Sequence, residues 1–178
     1  MHRYRIIFAA AILAAISVIL QIWKISYSYG GVIDIDVVGV PWLAGTFILG
    51  LSGGLLTSLV SAIGIAIFAP TGIVGAIMKF AATIVMVLIV GIIGKKFGFG
   101  KKAMVAAFVL CLAARPAIMV LFNYYWAIPV FFGIPTEIAL QKFPVELFIV
   151  PNIILAAMDF WIAYFLVFST RLKARLDD

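Results

Sequence analysis

The chain has 178 residues, 66% of them hydrophobic and 11% charged, where ordinary soluble domains run near 45–50% and about 25%. A soluble core of this size cannot bury so much apolar surface, so lipid must solvate part of it. The formal charge of +6, from 13 Lys and Arg against 7 Asp and Glu, sits in short clusters between apolar runs, which argues against nucleic-acid binding and for membrane topology.

A helix needs about 20 residues to cross the hydrocarbon layer. The first apolar run covers residues 6–23. It is about 18 residues long and reaches Trp23 and Lys24 without a small-x-small site, so it reads as a retained span rather than a cleaved leader. A shorter run covers 40–49, with Pro41 in a first helical turn that tolerates it. Residues 51–68 follow, separated from it only by the stretch Gly50-Leu51-Ser52-Gly53-Gly54. One long tilted helix over 40–68, leaving five spans, is the alternative. The next runs are 73–94, then 103–126, interrupted by Arg115-Pro116, and 144–168, with Pro151 as a kink. The expectation is an all-α membrane protein, a six-helix bundle formed as one integral membrane domain over residues 1–178.

Orientation follows from the basic residues. With six spans and an internal N-terminus, Arg3, Arg5, Lys95, Lys96, Lys101, Lys102, Arg171, Lys173 and Arg175 are cytoplasmic. Only Lys24 and Lys142 lie in outer loops. This is the positive-inside pattern, with both termini in the cytoplasm. Trp23, Tyr27, Tyr29 and Trp42, and Tyr124, Tyr125 and Trp126, form an outer aromatic belt. The two outer loops, 24–39 and 127–143, are rich in aromatics and turn formers, which suggests a site opening to that face.

Polar residues at membrane depth must face protein and find partners. Arg115 and Asp159, each near the middle of its span, are expected to pair. Lys79 and Glu146 share an outer depth and either pair with each other or face a ligand. Helical spacing puts Gly72, Gly75, Lys79, Thr83 and Met86 on one stripe, with room for a close helix or a flat ligand. In the first helix Ala10 and Ala14, and Ala11 and Ala15, stand four apart, a spacing that admits a neighbouring helix. His2 is the sole histidine and Cys111 the sole cysteine, so no metal site is expected. No paired acidic motif supports an intramembrane enzyme using Glu146 or Asp159. A ligand-free assembly subunit remains the other competing class. A cavity ringed by Lys79, Asn123 and Glu146 would favour transport, and a filled core would favour the scaffold.

The layout resembles the S component of an energy-coupling-factor (ECF) vitamin transporter, and among these the riboflavin-specific members. The resemblance covers roughly residues 6–165. It rests on the alanine stripe Ala10, Ala11, Ala14 and Ala15, on Ile33-Asp34-Ile35-Asp36 leading into Val40-Pro41-Trp42-Leu43-Ala44-Gly45, and on Gly75 through Phe80. It rests also on Arg115 to Met119, Asn123-Tyr124-Tyr125, Pro129, Phe132-Gly133-Ile134-Pro135 and Pro144. The riboflavin group tends to carry Gly-Glu-x-x-Asn in the fourth helix, where this chain has Ala76 and Lys79. It tends to carry an Asn and a Lys after the last helix's proline, where Glu146 and Ile149 stand. The resemblance implies capture of a vitamin from outside, with partners in an ECF transmembrane subunit and two cytoplasmic ATPases. The chain itself has no phosphate-binding Gly-rich loop with Lys-Ser/Thr. It implies contacts to ligand from Lys79, Asn123, Tyr124, Tyr125, Glu146, Trp42 and Asp36, docking through the four alanines, and no cofactor or enzymatic activity.

Overall fold

The computed structural model of the chain describes residues 2–23, 26–31 and 33–170, with side chains from Tyr4 onward. The side chain of Arg3, and Lys24, Arg171, Lys173 and Arg175 of the charge pattern, lie outside the described residues. Helix α1 is His2–Trp23, followed by strands β1 (Ser26–Tyr29) and β2 (Ile33–Asp36). Helices α2 (Val40–Phe68), α3 (Gly72–Phe97) and α4 (Lys101–Phe122) come next, then a π-helical turn over Asn123–Ala127. Short helices α5 (Ile128–Phe132) and α6 (Thr136–Lys142) lead into α7 (Glu146–Ser169). Among the described residues, five stretches are long and apolar enough to cross a membrane: Tyr4–Trp23, Val40–Phe68, Gly72–Phe97, Lys101–Phe132 and Glu146–Ser169.

The α2 element is not straight. Gly50 has φ 74° and ψ −171°, a conformation L side chains rarely adopt, and the chain reverses there. A Cβ on Gly45 would stand 2.8 Å from Thr57 Oγ1, although residues twelve apart in a straight helix are about 18 Å apart. The arms 40–49 and 51–68 therefore lie antiparallel, which excludes the single tilted helix. Their hydroxyls are satisfied one turn back: Thr46 Oγ1 donates to the Trp42 carbonyl at 2.9 Å and Ser58 Oγ to that of Gly54 at 2.8 Å. Small and largely self-satisfied residues let the arms approach, with Ser61 Oγ left as a buried hydroxyl without a partner among the described residues. The first arm is only about 15 Å long, half of a hydrocarbon layer of about 30 Å.

What precedes that arm is a strand. Residues 24–39 read in sequence as a turn-rich loop. In the fold, β1 and β2 pair antiparallel, with Ser26 opposite Asp36 and Tyr29 opposite Ile33. Gly30 (φ 59°) and Gly31 (φ 71°) begin the connection, the positive-φ pair that hairpin turns favour. The inner end of β2 plunges into the bundle. Asp36, Val38 and Gly39 are buried, and Ser17 Oγ donates to the Val38 carbonyl at 2.8 Å while accepting from Trp42 Nε1 at 2.7 Å. A Cβ on Gly39 would fall against both carboxylate oxygens of Asp159. Non-helical backbone at this depth is tolerated only where protein surrounds it, and α1 and α7 supply that cover.

The two ends of the bundle differ. At the end carrying Lys95, Lys96, Lys101 and Lys102, here the basic end, Phe47 meets Phe99, Phe160, Tyr164 and Phe168 with ring centroids 5.6–5.9 Å apart. At the opposite, loop end, α6 lies beside the π turn. Tyr124 Oη donates to the Phe143 carbonyl at 2.6 Å, and Thr136 Oγ1 to that of Tyr124 at 3.0 Å.

The alanine stripe divides. Ala10 and Ala14 are buried inside the chain, whereas Ala11 and Ala15 are exposed. Of the four alanines expected to form a docking face, Ala10 and Ala14 are unavailable, because they sit on the α1 face that packs within the bundle together with Ser17. The two pairs lie about 100° apart around the helix, so one cannot share the other's surface.

Candidate functional site

A cavity of about 320 Å³ opens in the loop half of the bundle, within the range of small-molecule sites. Its walls come from α1, β2, α3, the α4–α5 segment and α7. The polar lining is Gln21, Asp34, Asp36, Lys79, Asn123 and Asn152. Phe131 and Phe132 supply aromatic faces, and Met78, Met119 and Ile128 fill out the apolar wall.

Lys79 points from α3 at the end of β2. Its Nζ lies 2.7 Å from Asp36 Oδ1 and 2.6 Å from Oδ2. Asp36 Oδ1 also accepts the Val38 N–H at 3.0 Å, a local turn that fixes the carboxylate. The open alternative of a Lys79–Glu146 pair is thereby corrected: Lys79 pairs with Asp36, and Glu146 is exposed on the first turn of α7. The strand brings Asp36 to this depth, which the spacing of helical residues could not reveal.

Beneath the cavity lies a second pair. Arg115 Nη1 donates to Asp159 Oδ2 at 2.7 Å, and both side chains are 1% exposed. The pairing expected from depth is present. Arg115 also reaches Asn152 Oδ1 from Nε at 3.3 Å and Met86 Sδ from Nη1 at 3.5 Å. Asn152 in turn donates to the Phe148 carbonyl at 2.8 Å. The cavity floor is thus tied to the buried pair through one asparagine.

Asn123 begins the π turn. Pro129 has no N–H and its ring crowds the carbonyl four residues back. The Ile128 N–H instead reaches the Asn123 carbonyl, five residues back. Such single π turns often occur at functional sites. Asn123 Nδ2 donates to the Met119 carbonyl at 2.7 Å, leaving its second amide proton and its Oδ1 for the cavity. Gln21 Oε1, also on the wall, is buried with no hydrogen-bond partner among the described residues. A buried acceptor of this kind is uncommon.

Of the seven residues expected to contact ligand, Lys79, Asn123 and Asp36 line the cavity. Trp42 is fully buried in the core, tilted against Phe80 at 6.1 Å. Tyr124 is buried against Phe148 at 5.1 Å, and Tyr125 is 65% exposed. Trp42, Tyr124 and Tyr125 do not line the cavity, whose aromatic lining residues are Phe131 and Phe132. Asn152 was missed. The asparagine that the riboflavin group tends to carry after the last helix's proline is replaced here by Glu146, whereas Asn152, which reaches the cavity, follows Pro151, two turns further along α7. A polar residue inside an apolar run was the available signal. Among the described residues no three His, Cys, Asp or Glu side chains come together as metal ligands.

Comparison with known proteins bears on this geometry. No curated protein matches the sequence. A solved structure described as "Structure and mechanism of the S component of a bacterial ECF transporter" superposes with a TM-score of 0.74 at 20% identity, covering 99% of each chain. At that identity the likeness speaks to the fold alone. The family model described as "ECF transporter, substrate-specific component" matches residues 5–170. That family comprises transporter substrate-binding components rather than enzymes, and with nearly its whole length matched, the chain belongs to it.

Proposed function

We propose that this chain is the membrane subunit that captures a vitamin, with riboflavin the first candidate, for an ECF-type importer. The observation that carries the reading is the mostly apolar cavity in the loop half, which Lys79, Asp36, Asn123 and Asn152 line together with Phe131 and Phe132 around a space of small-molecule size. A planar ring system gains from stacking on the aromatics, and its buried polar edge needs hydrogen-bond partners of the kind the amides offer. The loop end faces outward and both termini lie in the cytoplasm. The support for that is the clustering of Lys95, Lys96, Lys101 and Lys102 at the other end. The count of six crossings rests on taking β2 and the short arm 40–49 together as one descent. Energy comes from partners, an ECF transmembrane subunit and two cytoplasmic ATPases, with Ala11 and Ala15 on the exposed face of α1 as the contact. The setting is the cell membrane.

The test is a fluorescence titration of purified, ligand-stripped protein in detergent with riboflavin. Saturable one-to-one quenching at submicromolar concentration, weakened in Asn123→Ala, is the expected result. No quenching at tens of micromolar would remove riboflavin and move the search to thiamine, pantothenate, biotin and folate.

A further inference from the structure

The cavity's ionic side chains are already spoken for. Lys79, among the described residues the one cation on its wall, is held by both oxygens of Asp36, and the two side chains are only 12% and 8% exposed. Asp36 is in turn fixed by the Val38 N–H. The Arg115–Asp159 pair below is buried, with Asp159 Oδ1 left without a hydrogen-bond partner among the described residues. Among the described residues, the carboxylate on the wall without a paired cation is Asp34, which is exposed. The wall therefore carries two carboxylates and one ammonium, a balance of −1.

We propose that the Lys79–Asp36 pair is a specificity filter that excludes carboxylate-bearing ligands, so that the site accepts an uncharged polar molecule. This rests on the ligand-capture reading above and narrows it to a charge class. A carboxylate arriving at Lys79 has to displace Asp36, which stays tethered beside it through its own turn. The newcomer then faces two negative groups at short range where the dielectric is low. A neutral ligand meets none of this. It can use the free valences of Asn123 and the acceptor of Gln21, and leave the ion pair closed. The pair sits where the ribbon enters the bundle, so the same contact that selects the ligand also pins β2 against α3.

The filter has a signature that a merely structural ion pair lacks, because breaking it from either side has opposite consequences. Asp36→Asn keeps an oxygen for the Val38 N–H but frees the Lys79 charge. Lys79→Gln leaves Asp36 as an unpaired anion. Wild type, Asp36→Asn and Lys79→Gln, each verified as monodisperse in detergent, would be titrated calorimetrically with riboflavin (neutral), thiamine (cationic), and pantothenate and biotin (carboxylates). We expect no carboxylate binding by wild type, a gain of at least tenfold in pantothenate or biotin affinity for Asp36→Asn, and a comparable gain in thiamine affinity for Lys79→Gln. If one variant does not fold, the other decides by its own sign. Wild type binding a carboxylate more tightly than riboflavin overturns the filter, and so does a folded variant with no change in charge preference. If wild type binds nothing in the panel while the variants gain ligands of opposite charge, the filter stands and the riboflavin reading alone falls.

Discussion

The loop half and the basic half of this bundle are built from similarly apolar helices but are organised in opposite ways. The basic half is closed by rings. Phe47 sits at the centre of four edge-to-face aromatic contacts, Phe108 packs on Phe160 and Trp161 at 5.2 Å, and the helices there are joined by tight turns at Gly50 and Gly98. The loop half departs from regular structure at each place that shapes the cavity. A β-ribbon enters the bundle, a π turn carries Asn123, and two prolines, Pro129 and Pro151, stand beside lining residues. Space for a ligand is created by interrupting helices.

The sharpest ways to test this division begin with the pair at the boundary. Arg115→Ala leaves Asp159 buried without its cation, and is expected to lower stability by about 3–5 kcal/mol, read from thermal melting in detergent. Arg115→Met combined with Asp159→Leu should recover most of that loss; if it does not, the pair does more than satisfy itself. In the basic half, Phe47→Ala should cost about 3–5 kcal/mol through the cavity it leaves, with ligand affinity unchanged. A large loss of affinity there would break the division of labour.

Helix α1 offers a comparison within a single element. Ala14→Leu overpacks a buried position and should cost about 1–3 kcal/mol, whereas Ala11→Leu, on the exposed face, should stay within about 0.5 kcal/mol. Co-purification with an ECF transmembrane subunit should instead fail for Ala11→Leu. In the loop half, Asn123→Ala should barely move the melting temperature yet weaken ligand binding roughly fivefold, as expected for one net hydrogen bond of about 1 kcal/mol. The smallest effect belongs to Glu146→Gln. On an exposed turn it should change stability by less than about 0.5 kcal/mol and leave the titration curve where it was.

The composition and the run lengths were enough to establish a polytopic membrane protein. The reason is energetic: an apolar run of some 20 residues has few stable fates other than crossing a bilayer as a helix. Depth within a span also predicted the Arg115–Asp159 pair, because two opposite charges buried in hydrocarbon must meet. Lys79 was legible as a candidate by the same reasoning and Asn123 through the family resemblance, and both line the cavity. Tertiary structure alone decided which partners and which faces they met. Residues 24–39 read as a turn-rich loop, and nothing local says that a strand there dives beside α3 and delivers Asp36 to Lys79. The reversal at Gly50, the sorting of Ala10 and Ala14 inward from Ala11 and Ala15, and the exclusion of Trp42, Tyr124 and Tyr125 from the wall depend on helix rotation and close packing. In an apolar helix hydrophobicity is nearly uniform around the axis. The periodicity that orients a soluble helix is therefore weak, and the neighbours choose the face.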